Sequence, residues 1–113
     1  MEDIYQKADA LVMAIRESNE YKDYHKYLAL IKQNEELYNH VNEFRKRHFA
    51  IQNNESVRMG YAEYEELAEL SRELRKNDLV SAFLDAEIGL GRLVQEVHQK
   101  LMTGIEFDGD FLG

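Results

Sequence analysis

The sequence contains no cysteine. That absence removes disulfides, thiolate nucleophiles and cysteine-ligated zinc or iron–sulfur sites from anything the chain does by itself. Proline is also missing, and three of the six glycines fall in the last ten residues. So few breakers between Asp3 and Thr103 favour helices over a turn-rich β fold. No run of roughly 18 consecutive apolar residues is present to span a bilayer. The stretch Met1–Ala10 is acidic where a secretory leader would be basic and then apolar, which points to the cytoplasm. Positive charge is the scarcer sign, with 14 Lys and Arg against 22 Asp and Glu and a net charge of −8. Direct nucleic-acid binding is therefore disfavoured, because phosphate contacts need a positive surface. The one basic cluster, Arg45–His48, reads as a solvated face or as ion-pair partners for neighbouring glutamates.

Catalytic signatures are missing as well. There is no Gly-x-Ser-x-Gly, no Gly-Lys-Ser/Thr loop and no His-Glu-x-x-His. A di-iron bundle needs Glu-x-x-His on two helices, yet Lys22, Leu37, Arg45 and Gln95 stand three residues before the four histidines. Gly89-Leu90-Gly91 is not a dinucleotide fingerprint: Val94 occupies the third glycine position. The preceding residues are helical in period, so a phosphate would meet a helix interior whose N–H groups are already bonded. No cofactor and no metal is called for, and a non-enzyme is the favoured reading.

What is present is helical periodicity over almost the whole chain. Ile4, Ala8, Leu11, Val12 and Ile15 mark a first helix with Asp3 as its N-cap. Ser18 or Asn19 starts a second, which carries Tyr21, Tyr24, Leu28 and Ile31 on one face, with Tyr27 beside them. Asn34 caps a long third helix through Leu37, Val41, Phe44, His48 and Ile51, whose spacing near 3.5 residues resembles a coiled-coil seam. Residues 53–60 weaken that pattern. A fourth helix places Tyr64, Leu67, Ser71 and Leu74 on one side. A fifth begins at Asn77–Asp78, carries Val80, Phe83, Leu84, Leu90, Val94, Val97 and Leu101 on one arc, and stops at Gly104 as a C′ residue. Gly91 lies within that arc, where it lets another helix backbone approach. Gly89 lies opposite and costs about 1 kcal/mol relative to alanine.

The expected architecture is an all-α bundle of about five helices, with the long third and fifth forming a coiled-coil-like seam. Residues 1–104 form a single domain, and 105–113 a short acidic, aromatic tail. Glu87 and His48 both fall on apolar arcs, which leaves open whether they pair with each other. A hydrogen-bonded or ion-paired core residue is the more ordinary outcome. The seven tyrosines read as core residues with hydroxyls at the rim rather than as a ligand cage. Met13, Phe49, Phe107 and Phe111 lie outside the main stripes; grouped together they would mark a partner site.

Three strings carry a family likeness: "A..L..AI.ES.EY..Y" near the N-terminus, "NEEL...V.EF" in mid-chain, and "N.LV.AFL.AE..L..LV.EV...L..GI" from Asn77 onward. Together they resemble the YlbF/YmcA family of small helical regulators from Gram-positive bacteria, over residues 4 to 105. Asn77, Val80, Phe83 and Leu84 fit the most recognisable segment. The resemblance implies an all-helical protein that forms a homodimer or higher oligomer, or pairs with a related YlbF/YmcA-type chain. It also implies a regulatory role beside an iron–sulfur partner protein and the membrane-anchored endoribonuclease RNase Y, affecting mRNA processing, competence, sporulation and biofilm formation. Without cysteine, this chain would leave any cluster to its partner. Gly89 and Gly91 depart from the helix formers usual there.

Two amphipathic helices longer than a 113-residue monomer can cover also look for a partner. The candidate interface residues are Phe44, His48, Ile51, Phe83, Glu87, Leu90, Gly91, Val94 and Val97. The rival from another class is a metal- or ligand-binding bundle using Glu87, His48, His98 and nearby tyrosines.

Overall fold

The computed structural model describes residues 1–52, 60–106 and 108–110. It contains five helices: α1 (Glu2–Arg16), α2 (Asn19–Lys32), α3 (Glu35–Gln52), α4 (Tyr61–Arg75) and α5 (Asp78–Ile105). Side-chain caps set three of the starts. The Ser18 hydroxyl accepts from the Tyr21 N–H at 3.2 Å, and the Asn34 carbonyl oxygen accepts from Leu37 at 3.1 Å. Asn77 accepts from both Leu79 and Val80, at 2.9 and 3.2 Å. Each bond satisfies a donor that the first helical turn leaves unpaired. At α4 the order is reversed: Gly60 has no side chain to offer, and the Glu63 carboxylate reaches back to accept from the Gly60 N–H.

Two expected boundaries move. Asp3 is not a cap, because α1 begins two residues earlier than an Asp3 cap would place it, with Met1 at the N-cap; Asp3 lies inside the first turn and pairs with Lys7 at 3.3 Å. Gly104 does not end α5. The helix continues through Ile105, and Glu106 takes the left-handed conformation at φ 59°. Periodicity carries a helix past a glycine when nothing competes for the next N–H, and the Glu106 N–H still reaches the Met102 carbonyl at 3.3 Å. Residues 53–59, Phe107 and Phe111 lie outside the described residues, as do the expectations that fell on them.

The helices associate around a small core of Ile31, Val41, Leu74, Val80, Phe83 and Leu84, with Leu67 also buried. Tyr24, Tyr27, Leu28, Leu37 and Phe44 pack around it, which realises the tyrosine face read from the sequence. α2 is the principal partner of α5 within the chain, while α3 packs on α2 and α4. The seam residues of α3 and α5 therefore do not close on each other along their length. α1 buries no residue completely. The result is a flat particle of 46 × 38 × 17 Å with a radius of gyration of 17.7 Å, against about 13 Å for a compact domain of this length.

The two N-terminal carboxamide and carboxylate candidates separate in a simple test. Asn77→Ala removes a double cap and should lower stability by about 1 kcal/mol, read as a drop of a few degrees in Tm. Asp3→Ala removes only an exposed i, i+4 pair and should stay within roughly 0.5 kcal/mol of the parent. Urea unfolding followed by circular dichroism measures both.

Candidate functional site

Arg45 is the centre of the polar chemistry. Its Nε donates to Glu87 Oε2 at 2.8 Å, its Nη1 to Asn42 Oδ1 at 3.0 Å and its Nη2 to the Tyr24 hydroxyl at 3.0 Å. The same guanidinium lies 5.2 Å from the ring centroid of Phe83, within cation–π range. Tyr24 also packs on Phe83, with ring centroids 5.5 Å apart. One side chain of α3 thus ties α2 and α5 together over the largest fully buried side chain of the core. The basic cluster serves as ion-pair partners: Arg45 holds Glu87, and Arg47 holds Glu43 at 3.3 Å. Glu87 is accordingly paired with Arg45, while His48 stacks on Phe44 at 5.7 Å and 12°.

Beyond that pair lies an open groove of about 1040 Å³ between the C-terminal half of α3 and the middle of α5. Phe44, His48, Phe49 and Ala50 form one wall, and Ile88, Gly91, Val94 and His98 the other, with Lys46 and Arg92 at the rim. α2 contributes nothing to the lining. Where α2 covers the core it meets Phe83, and where it no longer covers α3 and α5 the groove opens.

Five of the nine candidate interface residues, Phe44, His48, Glu87, Gly91 and Val94, line this groove. Ile51, Leu90 and Val97 are half-buried outside it. Phe83 is wholly enclosed in the core and offers no surface. Gly91 has no close neighbour within the chain: a Cβ built there meets nothing within 4 Å. Among the described residues, no other helix makes the close approach that its small size was expected to allow. Arg45, Lys46, Ile88 and Arg92 were not among the candidates. Ile88, Arg92 and Gln95 sit at i, i+4 and i+7 on one strip of α5, a signal masked by reading only apolar residues. Among the described residues, no group of three or more His, Asp or Glu side chains could hold a metal ion.

The family model described as control of competence regulator ComK, YlbF/YmcA, matches residues 4–106. The chain belongs to the YlbF/YmcA family. Curated relatives include UPF0342 proteins from Staphylococcus aureus strains Newman and USA300, each 29% identical over 105 residues, covering 91% of this chain and 92% of the relative. No solved structure matches. Membership in the YlbF/YmcA family establishes a regulatory theme. The most extensive surface feature described for this member is the open groove between α3 and α5.

The Arg45–Glu87 pair is semi-buried and hydrogen-bonded on several sides, unlike the exposed Arg47–Glu43 pair. A double-mutant cycle on Arg45→Met and Glu87→Gln should give a coupling energy of about 1 kcal/mol. The corresponding cycle at Arg47 and Glu43 should give roughly 0.5 kcal/mol or less. Urea unfolding of the four chains in each cycle checks both values.

Proposed function

We propose that this chain is a non-enzymatic regulatory adaptor that acts by association, working in the cytoplasm as part of an RNase Y-associated complex that influences mRNA processing and, through it, competence, sporulation and biofilm formation. The observation that carries the reading is uncovered surface. The chain exposes 9064 Å², where a compact monomer of 13.3 kDa would expose about 6,500 Å². Much of what shows is apolar and helical: Ile4, Val12, Phe49, Ile88, Val94 and Leu101 are all exposed. Phe49, Ile88 and Val94 line one groove, and apolar surface gathered in that way marks protein–protein contact.

Family membership supplies the regulatory setting. The lack of cysteine assigns any iron–sulfur cluster in the complex to a partner protein. Among the described residues, no helix is long and apolar enough to cross a membrane, so contact with a membrane-anchored nuclease would run through protein surface. The partner is a second copy, a related YlbF/YmcA-type chain, or both in one assembly.

The test joins association to regulation. Leu90→Asp combined with Val94→Asp should shift the mass measured by light scattering toward the monomer across a dilution series. In the native host, the same pair should fail to restore transcript processing to a strain lacking the gene. Unchanged association together with full complementation would remove the adaptor reading.

A further inference from the structure

We propose that the α3–α5 groove receives α1 of a second copy of this chain, reciprocally, so that two protomers clasp each other by their first helices. The inference rests on the adaptor reading and names the contact that the reading leaves open.

The groove has the form of a helix site. It is walled by two helices, continues past the point where α2 stops covering them, and has a glycine, Gly91, whose missing Cβ leaves a bare stretch of backbone. Such a position permits close helix approach. It is also the electropositive place on an acidic protein. Among the described residues, Arg45, Lys46 and Arg92 line it with His48 and His98, against the one carboxylate of Glu87. Arg45 is already engaged by Glu87, whereas Lys46, Arg92 and His98 make no ion pair among the described residues.

α1 has the complementary form. It buries no residue, and Ile4, Leu11 and Val12 are 66, 37 and 52% exposed. These residues share one face with Ala8 and Ile15, and Glu2 and Asp9, seven residues apart, flank that face on one side. An apolar stripe with carboxylates along one side, and with Lys7 on the other already paired to Asp3, suits an apolar floor edged with cations. The 15 residues of α1 span about 22 Å, enough to run the length of the groove.

The chain's own α1 is fixed elsewhere. The Ser18 hydroxyl donates to the Ile15 carbonyl at 2.5 Å while accepting from Tyr21, and Arg16 lies 6.0 Å from the Tyr21 ring centroid. These contacts hold the base of α1 against the start of α2, and no α1 residue lines the groove. Exchange between two copies is isologous and closes, so both stripes and both grooves are covered at once.

The absence of cysteine makes the test clean. Chains carrying Leu11→Cys are mixed with differently tagged chains carrying Ile88→Cys or Val94→Cys and mildly oxidised. Mixed disulfide-linked pairs should form at several times the yield obtained with Glu65→Cys, on the exposed surface of α4. An equal yield with the Glu65 control overturns the proposal. So does an intramolecular disulfide as the main product of the chain carrying both Leu11→Cys and Val94→Cys.

Gly91→Leu should weaken self-association at least tenfold with an unchanged circular dichroism spectrum, because the groove is open to solvent there and a Cβ at that position meets nothing within 4 Å. Ile4→Asp with Leu11→Asp should do the same from the other side of the contact. Arg92→Glu should weaken association, and Asp9→Lys should restore it in part. If Gly91→Leu dissociates the assembly but the α1 pair does not, another segment fills the groove and the proposal fails. If neither set changes the mass of a stable oligomer, the α1 contact fails while the adaptor reading stands. A strict monomer at every concentration also overturns the proposal, and leaves the adaptor reading to a heterologous partner.

Discussion

Arg45 joins the three helices α2, α3 and α5 at the edge of the apolar core that they share. Its guanidinium uses three donors on residues from α2, α3 and α5 and lays its flat face over Phe83. A lysine could make one of those contacts but not the fork and the stacking together. The position of Arg45 also decides where the core ends. On one side lie Phe83, Ile31 and Val80, without accessible surface; on the other, the same two helices diverge into a groove edged by Lys46 and Arg92. The polar network is the boundary between the part of these helices that the chain covers itself and the part that it leaves open.

That division explains the proportions of the particle. Among the described residues, seven buried hydrophobic side chains are few for so long a set of helices. Full burial of a large apolar side chain contributes about 1.5–3 kcal/mol, a gain set against the entropy of ordering the entire chain. Any further burial on association would add directly to the stability of the fold and so link folding to assembly. α5 shows the linkage most plainly: Val80, Phe83 and Leu84 anchor its first turns in the core, while Val94 and Leu101 remain exposed.

The helices were legible in the sequence because the signals that define them are local. Spacing placed Ile31, Val41, Leu67, Leu74, Val80, Phe83 and Leu84 on inward faces, and Ser18, Asn34 and Asn77 were readable as caps from residue type and position. Asp3 and Gly104 misled because each has the right chemistry one or two residues away from where the backbone actually turns. The site was harder to read. Which helix covers which is a tertiary choice, so a periodic arc cannot distinguish Phe83, which α2 covers, from Val94, which it does not. Arg45 was missed as an organiser for the same reason. Its partners Tyr24 and Glu87 are 21 and 42 residues away, and nothing in the local pattern joins them.

The charge pattern resolves an apparent conflict in a protein that shows so much apolar helix. Bare hydrophobic surface invites indiscriminate association, yet a net charge of −8 makes random encounters between copies repulsive. Repulsion is lowest where the cations gather, around the groove, and an approaching acidic helix would be steered there rather than to the glutamate-rich surface of α4. Electrostatics of this kind contributes more to the choice of contact than to its strength, and strength comes from the apolar residues that the same contact covers. Gly91 fits the division: as a glycine it weakens α5 by about 1 kcal/mol relative to alanine and touches nothing within the chain. The cost of such a residue falls on the isolated protomer, while any benefit of its small size can be realised only once a second surface lies against it.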